Sequence, residues 1–290
     1  MHELTCDVVI IGGSLGGCAA AMSALSPHLA DGLRVCLVAD TRWLGGQISA
    51  QGVAPLDEHR HIETFGAPAR YLDFRQRVRM HYHITYGAPL VMHASVLGAD
   101  MPLNPGNGWV SRLCYAPRVG KDIIESMLPE ALQVLGVYHA VESETHDGTV
   151  QTIVCQDADG QRLRVSARYV LDATDLGDLL PLSHTDYVRG AESRAETGEP
   201  DAPDAARPHE TQGFTYCFAV EFCAGENHTI TPPPEYAHFR DSQPYTLAPT
   251  GRDGQPVVYR MFDESPQGNL PFWSYRRIHD GALLGGNDIA

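Results

Sequence analysis

Residues 12–17 read Gly-Gly-Ser-Leu-Gly-Gly, a combination that could bind two linked phosphates. A glycine such as Gly12 permits a tight exit from a strand, the small Ser14 lets a pyrophosphate approach the backbone, and Gly17 lets a helix pack closely on the strand. Free N–H groups at the start of that helix then bind the phosphates. The predicted phosphate site also includes Gly13 and Gly16. The strict motif has glycine at position 14, and we expect the small serine to be tolerated there.

The elements needed to hold this turn can be recognised on both sides of it. Residues 8–11 are a β-branched run typical of a buried parallel strand, and the alanine-rich stretch 18–25 favours a helix. Residues 33–38 predict a second strand. Strand, glycine turn, helix and strand in this order open a dinucleotide-binding βαβ unit. The alternative is a glycine turn in an α/β fold that binds no ligand.

An acidic side chain normally ends the second strand of such a unit and holds a ribose hydroxyl. That place falls at Ala39 or Asp40, so the acid is missing if the register requires position 39, and Asp40 is the candidate. A glycine pair follows and suits a loop that passes under the pyrophosphate and ribityl chain of a flavin. The cofactor contacts expected in this segment are Thr41, Trp43, Gly45, Gly46 and Gln47. The long polar segment after them favours FAD, because an NAD dehydrogenase usually continues with another helix and strand.

A third motif, Asp-Ala-Thr-Asp-Leu-Gly-Asp at residues 172–178, follows a strand-like run at 168–171. Open α/β sheets bind ligands at the carboxyl ends of their strands. Small residues such as Ala173 let the backbone press against a cofactor there, and Gly177 keeps the turn open. The alternative is an ordinary exit from a strand into a turn.

Four stretches resemble the FAD-dependent oxidoreductases built on the glutathione-reductase-type flavin fold, namely residues 7–17, 43–59, 104–118 and 170–182. The resemblance covers most of the chain, and its most specific part is the second glycine pair together with residues 172–178. It implies a bound FAD, with Thr174, Gly177 and Asp178 near the cofactor. It also implies that the backbone of Ala140 and Val141 touches the adenine. Ala39 departs from the acidic residue that the family leads us to expect.

Three residues are candidates for catalysis. His59 follows the flavin-side loop, and histidine is the side chain best suited to proton transfer near neutral pH, although the alternative is a solvated histidine in a polar cluster. Arg112 is expected to stabilise a reduced flavin anion or to hold a substrate carboxylate. Tyr115 lies in the same matching stretch, whereas the neighbouring Cys114 is expected to serve in packing.

The composition excludes several classes of protein. Hydrophobic residues make up 43% of the 290 residues and charged residues 20%, which excludes a disordered or fibrous chain. A net charge of −15 disfavours nucleic-acid binding, and no apolar run reaches the length of a membrane span. The seven cysteines have no paired spacing, so a reducing, cytoplasmic location is expected. The histidines lack the helical spacings of a metal site, so no metal is expected.

Further elements follow from local patterns. The spacing of apolar residues in 70–83 predicts an amphipathic helix. Its other face carries Arg70, Arg75, Arg77 and Arg79, and is either solvated or a docking site for an anionic partner. Also predicted are a helix at 119–128, hairpin turns at 146–149 and 157–160, and a strand at 214–222.

The predicted fold class is α/β, with a Rossmann-like FAD-binding domain made of a parallel sheet with an inserted β-meander, followed by part of a sheet-containing substrate domain. We place the first domain at residues 1–190, with a helical or loop insertion at about 50–115, and the second at 191–290. The strand and helix that would cover the pyrimidine end of a flavin are not recognised. We therefore expect a missing C-terminal segment or a partner chain to complete the flavin site.

These observations predict an FAD-dependent oxidoreductase that moves a hydride between the flavin and a small-molecule substrate. Two alternatives stay open. One is an NAD(P)-binding dehydrogenase, and the other is a non-catalytic or half-site subunit of a split flavoprotein.

Overall fold

Ten strands, seven α-helices and two short 3-10 helices occur in the part of the chain that the computed structural model describes, residues 2–28, 32–59, 61–94, 99–243 and 246–290. The strands are β1 (His2–Ile11), β2 (Val35–Ala39), β3 (Val91–Ala94), β4 (Ala99–Pro102), β5 (Gln133–Gly136), β6 (His139–His146), β7 (Thr149–Gln156), β8 (Arg162–Asp172), β9 (Glu221–Phe222) and β10 (Asp288–Ile289). The helices are α1 (Leu15–Ala24), α2 (Ala69–Tyr86), α3 (Pro117–Met127), α4 (Leu179–Leu182), α5 (Arg194–Thr197), α6 (Tyr236–Ser242) and α7 (Gly281–Leu284). Contacts divide the chain into two compact units, residues 1–51 with 124–218 and residues 52–123 with 219–290.

A six-stranded sheet forms the centre of the first unit, in the order β5-β2-β1-β8-β7-β6. Strands β5, β2, β1 and β8 are parallel, and Val9 of β1 pairs with Cys36 on one side and Val170 on the other. Strands β6 and β7 complete the sheet as an antiparallel meander that leads into β8. This mostly parallel sheet confirms the predicted α/β, Rossmann-like fold class with its inserted meander.

Apolar and β-branched side chains on one face of the sheet form a core, as a buried parallel sheet requires. Its fully buried members include Val9, Ile11, Cys36, Val38, Ile153, Cys155 and Val165. The cysteines in this core are free thiols and act as small hydrophobic side chains. Burial raises the pKa of the Cys155 thiol to about 12, which keeps it protonated.

The two hairpin turns of the meander are formed by residues that favour tight turns. The hairpin between β6 and β7 has left-handed backbone at both Asp147 (φ 49°) and Gly148 (φ 73°), as the tight primed turn requires. The next hairpin is closed by the Asp157 carboxylate, which accepts from the N–H groups of Asp159 and Gln161 at 3.0 and 2.8 Å. Both predicted hairpins are therefore confirmed.

The second unit is built around α2, with a two-stranded β3/β4 sheet and a two-stranded β9/β10 sheet. Helices α2 and α3 confirm the helices predicted at 70–83 and 119–128. The strand predicted at 214–222 is wrong over most of its length, because ladder hydrogen bonds begin only at Val220, which pairs with Ala290. The aromatic side chains of Phe214, Tyr216 and Phe218 are more than 80% exposed. None of the helices among the described residues has both the length and the apolar character needed to cross a bilayer.

Candidate functional site

The first glycine turn is held against the end of β8 by close backbone contacts. Gly12 leaves β1 with a φ of 113°, and a Cβ there would lie 2.1 Å from the carbonyl oxygen of Ala173. A Cβ on Gly17 would lie 2.1 Å from the carbonyl oxygen of Gly12. Any side chain at either position would displace backbone, so the close approach of β1, α1 and β8 requires glycine at both.

Ser14 caps α1 and ties it to β8. Its Oγ accepts from the N–H of Gly17 at 3.1 Å and donates to the carbonyl oxygen of Ala173 at 2.8 Å. The N–H of Gly16 finds no acceptor among the described residues, and the first turn of α1 carries no acidic side chain. The start of α1 therefore offers a free donor and the positive end of a helix dipole, which suits an anion.

The second glycine pair packs directly on the first turn. The N–H of Gly45 donates to the carbonyl oxygen of Gly13 at 2.8 Å, and a Cβ on Gly46 would lie 3.1 Å from the Cα of Ser14. Both glycines of the pair have positive φ. Beside them, Thr41 donates to the carbonyl oxygen of Trp43 at 2.9 Å. Trp43 and Gln47 are exposed to solvent.

The third motif forms a bend braced by its own side chains. Asp172 accepts from the N–H and the hydroxyl of Thr174, at 3.0 and 2.7 Å, and from the N–H of Leu179 at 3.0 Å. The Thr174 hydroxyl in turn accepts from the N–H of Asp178 at 2.7 Å. Gly177 has a φ of 70°. Sequence reasoning did not assign this role to Asp172, although an Asp-x-Thr triplet at a strand end is a known turn signal.

Asp40 and the third motif lie close enough to interact. Burial raises the pKa of the Asp175 carboxyl, and the negative charge of Asp40 raises it further, while a hydrogen bond from Gln51 at 2.7 Å opposes both. Ala39 is buried against Gly13, since a Cβ on Gly13 would lie 2.8 Å from the Cβ of Ala39. Asp40 is exposed, so it is the acidic group available at the end of β2.

A cleft of about 570 Å³ adjoins the same end of β2. Its lining includes Ala39, Thr41, Leu44, Val134, Gly136 and Val137. Val141 does not line this cleft. It lies instead in a bulge of β6, because Ala140 pairs with Cys155 and Glu142 pairs with Val154, so that Val141 is passed over in the register.

In the second unit a buried ionic network replaces the solvated arginine face expected on α2. Arg75 is 1% exposed and pairs with Glu58 and Glu63, and Arg79 pairs with Glu63 and donates to the carbonyl oxygen of Leu103 at 2.8 Å. Burial raises the pKa of the Glu63 carboxyl, but the two guanidinium groups outweigh burial and hold that pKa below its usual range. Tyr71 and Ser111 both donate to Glu58, the latter at 2.7 Å.

The solvated-face interpretation is therefore wrong for Arg75 and Arg79, and it holds for Arg77, whose side chain is 49% exposed. The acids that neutralise Arg75 and Arg79 come from the loop before α2, and the sequence of the helix does not reveal them. Within the helix, only the i, i+4 spacing of the two arginines indicates that they share one environment.

The three catalytic candidates all belong to the second unit, and no hydrogen bond among the described residues joins them. The exposed His59 accepts from the N–H of His61 at Nδ1 (3.1 Å), and its Nε2 faces the carbonyl oxygen of Gly66 at 3.2 Å. Nε2 therefore carries the proton. Arg112 is half-buried. Tyr115 is buried against Phe74, and burial raises the pKa of its phenol well above the usual value.

A sequence model of a known family, described as FAD dependent oxidoreductase, matches residues 7–277. Solved structures similar to the chain include a flavin-dependent brominase (14% identity, TM-score 0.40, 65% of this chain and 42% of that one). Another is the L-proline dehydrogenase of P. horikoshii, at 17% identity and a TM-score of 0.32, with 60% of this chain and 23% of that one covered. A third is the adenylylsulfate reductase of Archaeoglobus fulgidus, at 16% identity and a TM-score of 0.36, with 59% of this chain and 30% of that one covered. The chain thus spans between 23% and 42% of the length of these proteins. No curated protein sequence matches it.

Proposed function

The chain belongs to the FAD dependent oxidoreductase family, and we propose that it takes part in hydride transfer between FAD and a small organic substrate. FAD is the cofactor of this family. Bound FAD supplies the two-electron chemistry, and the protein supplies binding, orientation and proton transfer.

One observation carries it, namely the convergence of three motifs on Ser14 at the carboxyl ends of β1, β2 and β8. Gly12, Gly17 and Gly46 let the ends of β1 and β8, the start of α1 and the second glycine pair pack closely around Ser14. The free N–H of Gly16 and the positive end of the α1 dipole favour an anion at the start of α1. The residues present therefore fit the pyrophosphate of FAD.

The adenosine half of the cofactor has candidate contacts in the same unit. Asp40 can accept from the ribose hydroxyls, as the acid that ends the second strand does in dinucleotide-binding units. The cleft beside Thr41 and Val137 has the volume of a small-molecule site. The bulge at Val141 leaves backbone outside the ladder, which supports the proposed contact with adenine.

We propose His59 as the group that holds or moves a proton for the substrate. Its Nε2–H donates to Gly66 in the structure, so transfer to a substrate requires that this hydrogen bond be exchanged for one to the substrate. We propose that Arg112 binds an anionic group of the substrate, through paired N–H donors. Tyr115 keeps its proton at neutral pH and is proposed as a hydrogen-bond donor.

We retain two further proposals, residues 191–290 as part of a substrate domain and a cytoplasmic location, which the free thiols in the described residues favour. A partner chain is proposed as one way in which the flavin site is completed.

The test is to purify the chain, release any bound cofactor by heat and identify it by chromatography. FAD and a flavin absorption spectrum are expected from the parent chain and from Cys114→Ser, and their loss is expected in Gly17→Val. A bound nicotinamide dinucleotide would instead establish the dehydrogenase alternative. Native mass measurement in the same preparation separates an isolated chain from a subunit that retains flavin only with a partner.

A further inference from the structure

Cys223, Glu226 and His228 bring three different metal-ligating groups together outside the site described above. The Cys223 sulfur, a Glu226 carboxylate oxygen and a His228 ring nitrogen all lie within 4.8 Å of one another. A turn creates this cluster. The N–H of Glu226 donates to the carbonyl oxygen of Cys223 at 3.2 Å, and Gly225 adopts a φ of 80°.

We propose that these three residues bind Zn²⁺. Thiolate, imidazole and carboxylate are the ligands that Zn²⁺ takes in proteins, and three protein ligands leave the fourth tetrahedral position to water. His228 Nε2 and Glu226 Oε2 are 2.8 Å apart and share a hydrogen bond. Binding replaces that hydrogen bond with two bonds to the metal, and the imidazole proton moves through solvent from Nε2 to Nδ1, so that Nε2 ligates as a neutral imidazole. The Cys223 thiol releases its proton to solvent as the sulfur–zinc bond forms. No electron is transferred.

A neighbouring residue supports the sulfur ligand. Asn287 donates from Nδ2 to the Cys223 sulfur at 3.6 Å and to Glu221 Oε1 at 2.9 Å. Asn287 directly precedes β10, which pairs with β9 through Phe222 and Asp288. Hydrogen bonds from a second layer of residues orient metal ligands and tune their basicity. The bound metal would therefore fasten the loop after β9 to the β9/β10 pair.

The sequence expectation of no metal site rested on histidine spacings within helices. Cys-x-x-Glu-x-His is not a helical pattern, and its members meet only because the chain turns at Gly225. A turn places the three donors together without any of those spacings.

The experiment titrates the full chain with Co²⁺ as a spectroscopic substitute for Zn²⁺ and then displaces it with Zn²⁺. We expect one equivalent of Co²⁺ to produce a thiolate-to-cobalt charge-transfer band that Zn²⁺ removes. The band should be lost in Cys223→Ser and His228→Ala, and it should persist in Cys217→Ser and His238→Ala, which remove an exposed cysteine and an exposed histidine elsewhere. Asn287→Ala should bind roughly 10-fold more weakly than the parent chain.

Circular dichroism of each variant establishes that it is folded before titration. The zinc site is refuted if the folded parent chain shows no saturable charge-transfer band, or if Cys217→Ser removes the band as completely as Cys223→Ser does. Zinc binding that survives in both Cys223→Ser and His228→Ala also refutes it.

Discussion

The hydroxyl of Ser14 donates to the carbonyl oxygen of Ala173 at 2.8 Å and so joins two motifs that are 159 residues apart in the chain. The same oxygen caps α1 by accepting from the N–H of Gly17. A glycine at position 14, as in the strict phosphate-binding motif, could make neither bond. The serine therefore gives up the conformational freedom of glycine, and its hydroxyl joins the start of α1 to the end of β8 by hydrogen bonds.

Replacement of Ser14 tests what its two hydrogen bonds contribute to stability and to FAD binding. Ser14→Ala removes the cap and the tie, and is expected to lower the free energy of unfolding by about 0.5–2 kcal/mol, the usual cost of losing a serine cap to alanine. Ser14→Gly should cost less at the cap and should leave the approach of the pyrophosphate open, so FAD binding is retained. Urea denaturation and flavin titration of both variants give the comparison. A Ser14→Gly chain that cannot bind FAD would contradict this account.

Two glycines in the first turn of α1 form a matched pair. A Cβ at Gly17 would lie 2.1 Å from a backbone oxygen, whereas a Cβ at Gly16 would meet only the Ser14 Oγ at 3.6 Å, an ordinary contact. Gly17→Ala is therefore expected to destabilise the fold by about 1–3 kcal/mol through overpacking. Gly16→Ala is expected to be neutral or to stabilise by up to about 1 kcal/mol, because alanine favours the helix. Thermal unfolding measures both, and equal melting temperatures would show that the close approach at Gly17 is absent in solution.

Arg75 and Arg77 lie two residues apart on α2 in opposite environments. Arg75→Ala leaves Glu58 buried without its counter-charge and leaves Glu63 with Arg79 alone, so a loss of about 3–5 kcal/mol is expected. Arg77→Ala removes only an exposed i, i+4 pair with Asp73 and should cost less than about 0.5 kcal/mol. Denaturant unfolding of the two variants tests this difference. Similar small losses in both would mean that the network does not stabilise the second unit.

Local signals in the sequence were sufficient for much of the fold. The β-branched run of β1, the alanine-rich α1 and the two hairpin turns depend on neighbouring residues, and all were predicted. The long-range pairings were not. Strand β5 was missed because its four residues give little periodicity. Strand β8 has 11 residues, and the strand-like run recognised at 168–171 covers only part of it.

The difference between local signals and long-range contacts also explains two errors, the strand predicted at 214–222 and the solvated arginine face predicted on α2. Alternating aromatics give 214–222 a high β-propensity, but a strand forms only where another strand pairs with it, and in the described chain that begins at Val220. Arg75 is buried because Glu58 and Glu63 are folded over it from the preceding loop. The glycine and Asp-x-Thr motifs of the candidate site were recognisable, whereas their convergence on Ser14 depends on the order of strands in the sheet.

The Glu63 carboxyl predicts how the stability of the second unit depends on pH. Its pKa is below the usual value in the folded chain, because the guanidinium groups outweigh burial. A depressed pKa contributes stability above the unfolded pKa of about 4.3, and that contribution is lost as the pH falls through the folded pKa. The stability difference between the parent chain and Glu63→Gln should therefore be largest near neutral pH and shrink below about pH 4. Denaturant unfolding across this range measures it, and a difference that grows on acidification would have the wrong sign.

The braced bend at Thr174 links the third motif to cofactor affinity. The Thr174 hydroxyl donates to Asp172 and accepts from the N–H of Asp178, both at 2.7 Å. Thr174→Val preserves the shape of the side chain and removes both bonds, which at about 1–2 kcal/mol corresponds to a roughly 5- to 30-fold weaker binding of FAD if the bend contacts the cofactor. Thr174→Ser keeps the hydroxyl and should bind as the parent does. Flavin fluorescence titration of chain stripped of cofactor measures the three affinities. Equal affinities would separate the bend from the flavin site, whereas a selective loss in Thr174→Val would show that FAD binding depends on the geometry that Asp172 and Thr174 maintain.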